Sequence, residues 1–220
     1  MIILCKKFWG FEVAVTSCIA VIFYVLLKMS PNQAYWIANV FHDKMFLFIL
    51  LPIYLLVNFI IEKSVSIVQI TKMKTRERAI LFVGIQQVLN LFLLVTTWFL
   101  IITVFTILQF GKITEISLSE LLISYITYCE EMLLVSSVVI ILRKSNKRNL
   151  QEFSYVITYG MVVLENTLVP ELNMLLPIDV YLCFSWIFSR YSFAPIVLLF
   201  LNAMFVMIII RKSSYEDIFR

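Results

Sequence analysis

Between Ala79 and Phe110 the sequence runs for more than thirty residues with no charged side chain, no proline and a single glycine. Few folds can hold such a stretch. About 20 apolar residues in helical form already cross the hydrocarbon core of a bilayer. In a water-soluble domain, a helix apolar on every side would have to be buried on every side. Four further apolar runs share the chain with it: Val13 to Leu27, Met45 to Ile61, Ser119 to Leu142 and Phe153 to Val169, with a last one at Phe193 to Ile210. Hydrophobic residues make up 62% of the sequence, charged residues 15%, and the mean hydropathy is +0.96. That composition lies outside the soluble globular class. The expected fold is an all-α integral membrane protein, residues 1–220 forming a single transmembrane domain.

The flanks refine this. Residues 1–12 read as an amphipathic segment, with Lys6 and Lys7 beside Phe8, Trp9 and Phe11, a mixture suited to a bilayer interface. The run Val13 to Leu27 resembles a signal-peptide core but has no small-x-small site before Lys28. It is expected to be an uncleaved first span, which reaches about 20 residues only if both flanks contribute. Residues 30–44 read as a polar connection with Tyr35 and Trp36 at interface depth. Pro52 is expected to kink the second span. Ser117 and Glu120 stand at capping-box spacing before the fourth run. Residues 170–192 contain Pro170, Pro177 and the nine-residue apolar piece Val180 to Phe188. Too short to span, it reads as a re-entrant or interfacial segment.

Charge placement gives the topology. With the N-terminus inside, the inner segments hold fourteen Lys and Arg and the outer segments four, namely Lys28, Lys44, Lys112 and Arg190. Such asymmetry follows the positive-inside rule. Six transmembrane helices with cytoplasmic N- and C-termini are expected. The longest inner segment is residues 62–78, with Lys63, Lys72, Lys74, Arg76 and Arg78 in seventeen positions. The net charge of +4 clusters at the ends of apolar runs, which fits membrane topology and lipid contact, not a nucleic-acid groove.

Intramembrane polar residues are the candidates for chemistry. Gln86, Gln87 and Asn90 form a stripe early in the third run, Glu130 and Glu131 sit near the middle of the fourth, and Glu165 and Asn166 near the far end of the fifth. An acidic residue at a helix centre costs about 2.5–3.5 kcal/mol on insertion scales, so it is expected to face a bundle interior or a water-filled path. Several chemistries are excluded. Val135 stands where the EExxxR motif of CAAX-processing membrane proteases has arginine, and no histidine follows. Serine-type intramembrane proteolysis lacks its histidine as well, since His42, the one histidine, lies in an outer loop. The four cysteines, Cys5, Cys18, Cys129 and Cys183, are isolated, so no metal site or disulfide framework is expected. No Walker A and no GxGxxG occurs, so the chain is not expected to be an enzyme or to bind a nucleotide cofactor itself.

The order of elements, with the basic loop after the second helix and an apolar piece before the sixth, resembles the membrane subunit of ABC-2 type (type V) ABC transporters. The likeness is to the small permeases of bacterial bacteriocin or antibiotic-peptide export and immunity systems. It rests on layout and on the spaced basic residues of Val68 to Arg78, and Ala79 stands where the family has an aromatic residue. The resemblance implies a multi-pass protein of the bacterial cell membrane, partnered by an ABC ATPase subunit that supplies ATP hydrolysis and by a second permease protomer, identical or related. It would put ATPase contact on Ile67, Val68, Ile70, Lys72, Lys74, Arg76 and Arg78, and the outer gate at Val180, Phe184 and Trp186. The cargo would be an amphipathic peptide, an antibiotic or a lipid-like molecule. Two other readings stay open: a non-transporting membrane immunity or scaffold protein, and a small proton-coupled carrier using Glu130 and Glu131.

Overall fold

The computed structural model describes residues 2–27, 32–41, 43–64, 76–143, 145, 148–175 and 194–218. Among the described residues the chain is all-helical. The long elements are α1 (Ile2–Leu27), α2 (Gln33–Val40), α3 (Leu51–Ser64), α4 (Arg76–Phe110), α5 (Glu115–Arg143), α6 (Ser154–Leu175) and α7 (Ala194–Ile218). The chain divides into two units, Met1–Cys129 and Glu130–Arg220, with the boundary inside α5.

In the first unit, α1 is one uninterrupted helix of 26 residues. The amphipathic segment expected at residues 1–12 is continuous with the apolar run behind it, because nothing in the sequence breaks the helix there: Gly10 is the sole weak former and no proline occurs. Residues 33–40 are also helical where a polar connection was expected. Asn32 caps α2, its Oδ1 accepting from the Tyr35 N–H at 2.8 Å. Tyr35 is exposed, but Trp36, Ile37 and Val40 are buried.

Pro52 leaves the carbonyl of residue 48 without its usual donor. The chain absorbs this upstream. Residues Phe46–Leu50 form a π-helical turn in which the Leu51 N–H donates to the Phe46 carbonyl. A π-turn widens the helix by one residue per turn and makes room for the ring.

The third apolar run becomes α4, 35 residues long. It ends at Gly111, whose φ of 77° and N–H bond to the Ile107 carbonyl (2.8 Å) make a left-handed cap. A Cβ there would meet no atom within 4 Å, so only backbone strain opposes a side chain. Gly111→Ala is expected to cost about 1 kcal/mol, read as a lowered unfolding temperature in detergent. The next helix opens on Thr114, not on the Ser117–Glu120 pair: Thr114 Oγ1 accepts from the Ser117 N–H at 3.2 Å and donates to Ser117 Oγ at 2.8 Å. Thr-x-x-Ser precedes Ser-x-x-Glu by three residues, and the earlier cap takes the helix start. Gln33 of α2 clamps this turn, its Nε2 donating to the Lys112 carbonyl and its Oε1 accepting from the Thr114 N–H at 3.2 Å.

Aromatic contacts fix the packing of α1 on α4. Tyr24 stacks on Phe105 with ring centroids 4.4 Å apart, and Phe23 meets Trp98 edge-on at 6.5 Å. Glu12 of α1 lies against Asn90 of α4 while Tyr24, twelve residues on, meets Phe105, so α1 and α4 run in the same direction. Thr96 and Phe99 of α4 meet Tyr125 of α5.

In the second unit, α6 continues through Pro170 to Leu175 instead of stopping at Val169, and α7 extends past the apolar run to Ile218. Two helical segments among the described residues are long and apolar enough to cross a membrane: Gly84–Phe110 and Ser117–Arg143, 27 residues each. Trp9–Val25, Phe46–Glu62 and Pro195–Ile209 are shorter apolar helices.

Candidate functional site

The first unit holds a polar cluster inside its helices. Glu12 and Thr16 lie one turn apart on α1 and are both 0% exposed; Asn90 of α4 is 0% exposed and Asn58 of α3 3%. Residues i and i+4 share a helix face, so the inward face of α1 carries the carboxyl and the hydroxyl together. Asn90 Nδ2 donates to Asn58 Oδ1 at 3.1 Å. On its other side the Asn90 carboxamide oxygen is turned to both carboxyl oxygens of Glu12, one of them at 3.3 Å. Three helices thus meet through one carboxyl and two carboxamides. Gln87, one turn before Asn90, is also buried, and its backbone carbonyl accepts from the Tyr54 hydroxyl at 3.3 Å.

Of the stripe expected on the third run, Gln87 and Asn90 point inward and Gln86 is half-buried. Glu12 closes the segment 1–12 expected at a bilayer interface, and Asn58 is not among the polar residues expected to carry chemistry. Both were findable. Counting about 20 residues back from Leu27 puts Glu12 inside the first helix, and Asn58 is the lone strongly polar residue of the second apolar run.

The second unit begins at the acidic pair. Glu131 is fully buried and Glu130 half-buried. Asn202 of α7 donates from Nδ2 to the Glu130 carbonyl at 2.7 Å, tying α7 to the middle of α5. Ser136 and Ser137 continue the buried polar side of α5, and Ser136 Oγ donates to the Met132 carbonyl at 2.8 Å. Glu165 and Asn166 are half-buried on α6.

Ile67, Val68, Ile70, Lys72 and Lys74, expected to meet an ATPase, lie outside the described residues, as do Val180, Phe184 and Trp186 of the expected gate. Arg76 and Arg78 begin α4. No group of three or more His, Cys, Asp or Glu side chains able to hold a metal occurs among the described residues.

The described residues are all-helical, with two helices of membrane-crossing length and polar side chains buried between helices. Compared with known protein families, curated proteins and solved structures, the chain matches none.

Proposed function

We propose that this chain is the membrane permease subunit of an ATP-driven exporter of the ABC-2 type. It spans the bacterial cell membrane six times with both termini inside, pairs with a second protomer, and couples to a separate ABC ATPase. The cargo class is an amphipathic peptide, an antibiotic or a lipid-like molecule. The observation that carries the reading is the parallel packing of α1 on α4. If each of the first three spans crosses the bilayer once, the first and third must point the same way, and the parallel α1 and α4 meet that requirement. The outward face of α4 supports it: Phe92, Leu100, Val104 and Leu108 are 45–66% exposed, a row that suits lipid better than water. The sequence has no nucleotide motif of its own, and its longest basic stretch sits between α3 and α4, where a partner could push on two helices at once.

The test is co-purification. Co-expressed with the products of the genes flanking its own, the wild-type protein is expected to carry an ABC ATPase through affinity capture. The Lys72→Glu/Arg76→Glu variant is expected to lose at least tenfold of it, about 1.4 kcal/mol of binding. Undiminished capture by the double reversal would remove the docking role. The scaffold or immunity reading predicts the opposite: full function with residues 62–78 replaced by a neutral linker.

A further inference from the structure

We propose that Glu12, Asn90 and Asn58 form a proton-binding site inside the first unit, with one proton held on the Glu12 carboxyl and donated to the Asn90 carboxamide oxygen. Two oxygens that carry only lone pairs do not face each other unless a proton lies between them or the amide is turned round. In the turned arrangement, Asn58 donates to Asn90 and Asn90 donates to an ionised Glu12. That leaves a full negative charge between helices with an amide as its donor. No basic side chain among the described residues pairs with it, and an unpaired buried carboxylate costs several kcal/mol. With the proton in place no amide turns. The Glu12 O–H donates to Asn90, Asn90 Nδ2 donates to Asn58 Oδ1 at 3.1 Å, and the trio is neutral and linked end to end.

Thr16 gives independent support. Its hydroxyl is fully buried one turn from Glu12 and makes no hydrogen bond. A carboxylate has about four acceptor positions and would draw such a donor; a neutral acid already engaged with Asn90 has less need of it. The surroundings contain little else that titrates. Between Gly84 and Phe110, α4 has no charged residue. On α3 the titratable groups are Tyr54, bonded to the Gln87 carbonyl, Glu62, one turn past Asn58 and with an interaction of its own, and Lys63 beside it. On α1 they are Cys5, Lys6 and Lys7, all five or more positions before Glu12, Cys18, which is exposed, and Tyr24, stacked on Phe105; α2 adds the exposed Tyr35.

The site does more than hold a proton. Losing it requires both carboxamides to turn, so the Asn58 group that α3 presents changes from acceptor to donor. Proton release is thereby written into the hydrogen bonding of the helix that leads into residues 62–78. This does not depend on the transporter reading.

The experiment is infrared difference spectroscopy between neutral and alkaline pH on the purified full-length protein in lipid nanodiscs, with Glu12→Gln as the comparison. The wild type is expected to show a protonated-carboxyl band that disappears on alkalinisation and is missing from Glu12→Gln. Gln is the neutral shape mimic, so this variant is expected to fold with an unfolding temperature close to wild type at neutral pH. A Glu12→Gln protein that fails to fold overturns the proposal, since the cluster then needs the charge. So does a wild-type spectrum in which no carboxyl band depends on Glu12, the result expected of an ionised Glu12 with turned amides or of a bound cation.

Discussion

Trp36→Ala is expected to lower stability by about 4 kcal/mol, the upper range for emptying a buried aromatic site. Trp36 is 0% exposed and does three things at once. Its ring meets Tyr24 of α1 edge-on, with centroids 6.2 Å apart. Its indole N–H donates to Thr106 Oγ1 of α4 at 2.9 Å, and Thr106 passes its own proton to the Ile102 carbonyl at 2.8 Å. Removing the ring opens a cavity, frees α1 at this end and leaves an acceptor position on Thr106 unfilled. Trp36→Phe separates these effects. It keeps most of the packing and loses one buried hydrogen bond, so about 1–2 kcal/mol is expected. Reversible unfolding in mixed micelles measures both. A loss under 1 kcal/mol for the alanine variant would mean that α2 is held by the Gln33 clamp alone.

Asn90→Leu is the second large effect, expected at about 3 kcal/mol. Magnitude identifies the cause. Interhelical hydrogen bonds in membranes average about 0.6 kcal/mol in double-mutant cycles, so loss of helix-to-helix glue would be a small change. The larger figure arises because leucine strands the Glu12 carboxyl and the Asn58 amide together, each without its partner in a buried place. Removing the whole polar set should then repair the damage. Glu12→Leu/Asn58→Leu/Asn90→Leu is expected to return to within about 1 kcal/mol of wild type, as apolar replacement of complete buried polar sets does elsewhere. If the triple variant is less stable than Asn90→Leu, the cluster contributes net stability and stranded groups are not the explanation.

The helical class of this chain was legible because apolar runs of such length leave few alternatives, and Ala79 to Phe110 lies within a single helix as expected. Local punctuation was harder to read. Pro52 signalled a disturbance but not its form, since a kink and a π-turn both answer a missing N–H. Ser117–Glu120 and Thr114–Ser117 both obey capping spacing, and hydrogen-bond geometry selects between them. Of the candidate polar residues, Gln87 and Asn90 showed themselves by helical spacing alone. Glu12 was hidden by its neighbours: Lys6, Lys7 and a cluster of aromatics make residues 1–12 look interfacial. The partners of Asn90 depend on how three helices sit against one another, which periodicity within any one of them does not encode.

The length of α4 has a mechanical corollary. Thirty-five residues make a rod about 52 Å long, against a hydrocarbon layer of about 30 Å. It has no proline hinge; Gln33 grips the turn beyond Gly111, and Asn90, Trp98 and Phe105 tie its length to α1. A tilt of about 10° about the Gly111 end would carry the Arg76 end some 9 Å sideways, close to the width of a helix, and would shear Asn90 against Glu12.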